Sequence, residues 1–240
     1  MAGSNRKQAA ARFRRAIAKS NELHRQYLDD ARLLESYDRF TQWQLDYMLS
    51  FFDDLAATEG YTDAVNFIVS DLAGIGISER DLEIERAAGV FATTLPVHPL
   101  ETAAAAVELN ANSLEINLAI WRAMHVDDQL PVEITEKAYV LACRSASSYE
   151  ECMALVFLAG ELGRTLKTLV RIPLIGGLLW TMRAPARAAG FGTLQEFLET
   201  GFVTFRDIPD IDRFLTQLVA RLDEVFRRIY LEPTAAIEPA

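Results

Sequence analysis

The chain has 240 residues, 50% of them hydrophobic and 10% aromatic, with a formal net charge of -10. That apolar content excludes a disordered chain and suffices for one domain with a sizeable core. The acidic balance argues against nucleic acid as a general partner. Two cysteines, Cys143 and Cys152, are too few for a disulfide framework and fit a reducing compartment. No continuous apolar run follows the basic, Ala-rich opening, so no secretory signal is expected there.

The apolar period is helical nearly everywhere and no alternating strand pattern occurs, which predicts an all-α, single-domain bundle of about nine or ten helices over residues 1–230. Ala10, Phe13, Ile17, Ser20, His24, Tyr27, Ala31 and Leu34 fall on one stripe and predict a helix over 5–34. Its first 20 residues carry Arg6, Lys7, Arg12, Arg14, Arg15 and Lys19 without an acid, and are expected to protrude as a docking or oligomerisation helix. A second helix over 36–57 carries Phe40, Trp43, Tyr47 and Phe51, and Gly60 closes it. A helix over 62–73 stops at Gly74–Gly76, and Ser78 with Asp81 caps the following one.

His98-Pro99 opens a helix that runs to Met124 through Leu114, Ile116, Leu118 and Trp121. Asp127, Asp128 and Pro131 mark a turn before a helix over 133–145. Ser148 and Glu151 form a capping box for a helix ending near Pro173. A glycine-interrupted helix reaches Ala189, and Thr193 with Glu196 caps the next, which stops near Pro209. The last helix holds Ile211, Phe214, Leu218, Leu222, Val225 and Ile229 on one stripe, and residues 231–240 read as a disordered tail.

The run from Tyr61 through Phe67 to Asp71, Leu72 and Gly74 resembles the naming segment of the FFLEELY-motif proteins, helical bacterial proteins with no assigned function. Ile68, Ser70 and Ala73 stand where that motif has its second Phe, an acidic residue and the Tyr. Arg80-Asp81, Leu95-Pro96, Val107 to Leu109 and Asn117-Leu118 follow at similar spacing. Met182 to Ala186, Gly190, Leu194, Phe197 to Glu199 and Gly201-Phe202 match best, so the resemblance spans about residues 28–230. It implies an all-helical single domain and supplies no activity.

No metal, cofactor or catalytic residue is expected. His24, His98 and His125 are scattered, no Glu-x-x-His pair is present, and the cysteines stand nine residues apart without a CxxC. His24 lies on an apolar stripe, His98 precedes the helix-starting Pro99, and His125 ends a helix, with Asp127 and Asp128 beyond it in a turn. Gly-x-Ser-x-Gly and phosphate-loop patterns are missing, and both cysteines fall in apolar helical surroundings that suit buried, unreactive thiols.

Charge is more informative. Between Glu161 and Glu196 the chain carries Arg164, Lys167, Arg171, Arg183 and Arg187 and no acid. The first three share one helix face by spacing, and the last two share another. With Trp180 they form the candidate ligand- or partner-binding set. The rival expectation pairs these cations with Glu35, Asp38, Asp46, Asp53 and Asp54 of the second helix. The apolar run from Ile172 to Trp180 is expected to fill the core between two helices; the alternatives are a membrane interface or the wall of an apolar pocket. With Pro173, Gly176 and Gly177 inside it, the run is far short of the ~20 residues that span a bilayer.

The sequence therefore points to a cytoplasmic, non-enzymatic interaction or adaptor protein with a protein partner or a second copy of itself. A pocket for an apolar or acyl-like anionic ligand near residues 164–187, or a peripheral membrane contact there, is the alternative. A haem-binding, globin-like sensor using His98 or His125 is the third.

Overall fold

An aspartate, Asp30, interrupts the first apolar stripe and decides how the chain begins to fold. The computed structural model describes residues 2–68, 83–84, 86–91, 95–125 and 133–233. In it α1 (Ala2–Leu28) stops before α2 (Ala31–Leu49), where the sequence suggests one helix to residue 34. The Asp30 carboxylate accepts from the Arg32 N–H at 2.8 Å and caps α2. A short acidic side chain competes with the helix ladder for backbone donors and ends it locally. The stripe is buried from Ala10 to Tyr27; beyond the break Ala31 is exposed and Leu34 half-buried, and Tyr37 and Phe40 form the buried face of α2 instead.

The second expected helix is also divided. α2 ends at Leu49, where the Ser50 hydroxyl donates to the Tyr47 carbonyl at 2.6 Å, and α3 (Asp53–Ala56) follows. Gly60 then takes a positive φ of 80°, and a Cβ there would sit 2.6 Å from Pro209 Cγ, so backbone and neighbour both demand glycine. α4 (Thr62–Asn66) comes next, followed by helical residues at 83–84 and 86–91. The expected stop at Gly74–Gly76, the cap at Ser78 and Asp81, and the turn at Asp127, Asp128 and Pro131 lie outside the described residues.

α5 (Val97–Ala123) begins after Pro96, and α6 (Glu136–Ala146) is capped by the Thr135 hydroxyl, which accepts from the Ala138 N–H at 3.2 Å. α7 (Tyr149–Leu169) opens on the expected capping box. There the Ser148 hydroxyl accepts from the Glu151 N–H at 3.2 Å, and the Glu151 carboxylate accepts from the Ser148 N–H at 2.8 Å. α8 (Pro173–Ala188), α9 (Gly192–Asp207) and α10 (Ile211–Leu231) complete the chain. Of the expected tail, Leu231 is still helical and residues 234–240 lie outside the description. The fold is all-α, with no strand among the described residues.

α1 does not protrude. Its inner face is built from Ala9, Ala10, Phe13 and Ile17, which pack with Leu100 and Ala104 of α5. Small residues on both helices let the backbones approach, and the basic face finds acids on the same neighbour. Arg12 pairs with Glu108, and Lys19 pairs with Glu115 and donates to Asn112 Oδ1 at 2.9 Å.

Two larger cores flank α10. One gathers Tyr27, Tyr37, Phe40, Leu118, Trp121, Tyr139 and Val140 around Val225 and Ile229. The other gathers Phe52, Leu55, Tyr61, Val65, Phe67, Phe205 and Ile208 around Phe214, Leu215 and Leu218. α7 lies against α10, and Gly163 makes the close approach: a Cβ there would come within 2.6 Å of Leu215 Cδ2.

The start of α9 departs from the sequence expectation. Thr193 lies inside the helix and its side chain does not cap it. The buried Glu83 carboxylate accepts from the Leu194 N–H at 2.7 Å instead. An acid at a helix N-terminus satisfies an orphan donor and suits the dipole. Glu83→Ala should cost about 1–2 kcal/mol of stability in urea denaturation, and Glu83→Gln, which keeps an acceptor, should cost less.

Candidate functional site

α8 and α9 form an antiparallel hairpin. At the turn the Phe191 N–H donates to the Ala186 carbonyl at 2.8 Å and the Gly190 N–H to the Arg187 carbonyl at 3.1 Å, with Gly190 at a φ of 77°. This is the Schellman arrangement, which needs a left-handed residue after the helix. Along the hairpin a Cβ at Gly176 would meet the Phe202 ring at 3.1 Å, and Gln195 Nε2 donates to the Leu179 carbonyl at 2.7 Å. The body grips the hairpin from α9: Phe67 stacks on Phe197 at 5.4 Å, and Arg86 donates to the Gly190 carbonyl at 3.0 Å.

The candidate cations divide between two carboxylate centres. On α8 the Arg183 Nε–H lies 2.8 and 2.6 Å from the two oxygens of Glu199, and Gln195 Nε2 donates to Glu199 Oε1 at 2.7 Å. Hydrogen bonding from Arg183 holds the Glu199 carboxyl below its ordinary range, with the charge of Arg187 adding to the effect. At the end of α7, Lys167 pairs with Asp212 at the start of α10. That hydrogen bond, together with the fields of Arg171 and Arg164, lowers the Asp212 carboxyl. Arg164 itself pairs with Glu161 one turn back.

Internal pairing is therefore real, but its partners are Glu161, Glu199 and Asp212 rather than the acids of the second helix. Asp54, one of those acids, is held by Arg221. Among the described residues Arg171 and Arg187 form no ion pair. The reason is topological: α8 packs chiefly on α9, and α7 on α10, so Arg183 and Lys167 meet the acids of those neighbours.

The apolar run corrects the sequence reading most. It does not fill the core. Among the described side chains of α8 only Ala186 is buried, while Leu174 is 79% exposed, Trp180 67% and Leu178 51%, and Ile172 and Met182 are exposed as well. Leu174, Leu178 and Met182 fall at steps of four and so share one face, while Ile175 and Leu179 turn toward the half-buried side. The helix carries two apolar faces and has a partner for one. That excess, read against a single stripe, is the signal the sequence offered.

No pocket of the kind sketched for residues 164–187 corresponds to the groove of about 250 Å³ between α3 and α10. Asp54, Leu55, Thr58, Gln217, Ala220, Arg221 and Glu224 line that groove. The histidines sit apart: His24 is buried on α1 beside Ser20 and Tyr27, and His98 is exposed. His125 Nδ1 lies 2.7 Å from the Trp121 carbonyl, with the two rings edge to face. Among the described residues no group of three His, Cys, Asp or Glu side chains is placed to hold a metal ion. No helix among them is long and apolar enough to cross a membrane.

Both thiols are buried. Burial pushes Cys143 up to about 12, and also raises Cys152, whose sulfur lies 3.2 Å from the Tyr230 hydroxyl. Thiols held neutral in this way are poor nucleophiles.

A family model described as "Domain of unknown function (DUF8198)" matches residues 23–235. The chain belongs to the DUF8198 family. The DUF8198 match takes in both larger cores and the whole α8–α9 hairpin, and leaves out most of α1. No curated protein and no solved structure matches the chain significantly.

Arg183→Glu sets two carboxylates against each other and should lower the melting temperature; adding Glu199→Arg should restore it, whereas Lys at Asp53 or Asp54 should not. Because the Glu199 pKa is depressed on folding, the contribution of the pair is full above the ordinary carboxyl range and is lost as pH falls through the folded value. The thiols should react with a disulfide reagent only as fast as the native protein opens, and rapidly in denaturant. Cys143→Ala should cost about 1 kcal/mol, read from the same denaturation curves.

Proposed function

We propose that this DUF8198 protein acts by binding, through the outward face of α8, and carries out no chemistry of its own. The observation that carries the reading is the exposure of Leu174, Leu178, Trp180 and Met182 on a helix whose other face is already packed. Folded proteins rarely hold a run of large apolar side chains in water unless something covers them. Arg171, two residues before α8, sets positive charge at the N-terminal end of the helix, so the occupant has an apolar body and negative charge.

The same reading treats residues 1–230 as one domain, since α10 supplies both larger cores. It keeps the likeness to the FFLEELY-motif proteins, which are helical and without assigned activity, and a cytoplasmic setting, which two free buried thiols suit.

The probe 1-anilinonaphthalene-8-sulfonate, an apolar anion, tests the face directly. The folded protein should enhance its fluorescence. Leu174→Asp with Leu178→Asp should remove most of that enhancement without moving the melting temperature. An equal response from wild type and double variant would assign the probe to another site and end this reading.

A further inference from the structure

We infer that the outward face of α7 is a self-association surface, through which two copies of the chain pair with their α7 helices antiparallel. This contact stands apart from the role proposed for α8.

The face follows from the helical period. Cys152, Val156, Gly160 and Gly163 are buried on the inner side of α7, where the two glycines face Val219 and Leu215 of α10. Glu150, Ala154, Phe157, Glu161, Arg164 and Thr168 recur at steps of four and three on the opposite side, and all six are exposed. Phe157 is 63% exposed and its neighbour Leu158 46%, so the middle of the face is apolar while its ends are charged. A ring and a leucine left side by side in water gain by mutual burial.

Charge selects the occupant and its direction. The N-terminal end of the face carries Glu150, which forms no ion pair among the described residues. The C-terminal end carries Arg164, which pairs with Glu161 and has further N–H donors to give. A two-fold axis between Phe157 and Leu158 runs the two helices antiparallel. With a rise of about 1.5 Å per residue, Arg164 lies about 10 Å from the axis and the partner's Glu150 about 11 Å, on the same flank. Each copy's arginine therefore meets the other's glutamate, and the pair is made twice. Between the two pairs Phe157 meets the partner's Phe157 and Leu158 the partner's Leu158. Ala154 comes opposite the partner's Glu161, and its small side chain leaves the Glu161–Arg164 pair in place. Parallel pairing would set Glu150 against Glu150 and Arg164 against Arg164, which like charge disfavours.

Size sets the strength. The face measures roughly 28 Å by 10 Å, well under the roughly 800 Å² that each side of a stable complex buries, so the dimer should be weak, with a dissociation constant on the order of 100 µM.

The test is sedimentation equilibrium of the full chain over about 10 to 500 µM in about 150 mM salt, which screens repulsion between two chains of net charge -10 and spares charges in contact. The wild type should pass from monomer toward dimer across that range. Phe157→Gln with Leu158→Gln should raise the dissociation constant about tenfold or more. Arg164→Glu alone, or Glu150→Arg alone, sets like charges together and should weaken the dimer severalfold. The two reversals combined remake the pairs with opposite polarity and should restore it. All four side chains are exposed, so circular dichroism should not change.

A chain that stays monomeric throughout overturns the inference. Dimers indifferent to Phe157→Gln with Leu158→Gln, or dispersed by Leu174→Asp with Leu178→Asp instead, put the contact elsewhere and overturn it too. Dimers that the combined charge reversal fails to restore overturn the antiparallel pairing.

Discussion

Everything described depends on one helix being shared. α10 turns Phe214, Leu215 and Leu218 into one core and Val225 and Ile229 into the other, so neither core is complete without it. Its stripe is the most regular in the sequence, and the side chains at both ends of it are fully buried. Holding α10 in register is therefore the central constraint. Gly163 lets α7 come close enough to lock against Leu215. At the far end Arg144 of α6 donates to the carbonyls of Ile229 and Glu232, which are orphan acceptors at a helix C-terminus.

The interior around α6 is polar as well as apolar. Gln44 Nε2 donates to Asn117 Oδ1 at 3.1 Å and lies 2.9 Å from the Tyr139 hydroxyl, while Glu136 accepts from Tyr47 and Arg228 at 2.9 Å each. Such groups cost little when paired and much when one partner is lost, which fixes the relative placement of α2, α5, α6 and α10 more sharply than apolar contact alone. The cysteines belong to this interior. Cys152 and Ser147 both meet the Tyr230 hydroxyl, and their surroundings are those of packing rather than of reaction.

Period and one local cap, the Ser148–Glu151 box, were legible in the sequence; the start of α9 and the partners across the fold were not. The stripes of α1 and α10 and the Ser148–Glu151 box depend on residues within a few positions of one another, and they appear where the spacing put them. The Asp30 break was local too, but Asp30 sits within a stripe that continues on both sides, so periodicity concealed it. The cap on α9 comes from Glu83, 111 residues away, and no local pattern could name it. The same holds for the candidate cations: their clustering was visible, but Glu199 and Asp212 become their partners only through the packing of α8 on α9 and α7 on α10. The exposure of α8 was missed for a related reason, since an apolar run does not reveal how many of its faces are covered.

The pairing of α1 with α5 has a consequence for the order of events during synthesis. Arg12 meets Glu108 across 96 residues, and Phe13 is buried largely by the same partner. At translation rates of about 5–20 residues per second, α1 waits roughly 5–20 s on the ribosome before α5 emerges to cover it. Through that interval its apolar side consists mostly of alanines, with Phe13 and Ile17 the only large side chains before Leu23. A helix with so sparse a face, and with cations along the rest of its surface, gives a nascent chain little to stick to.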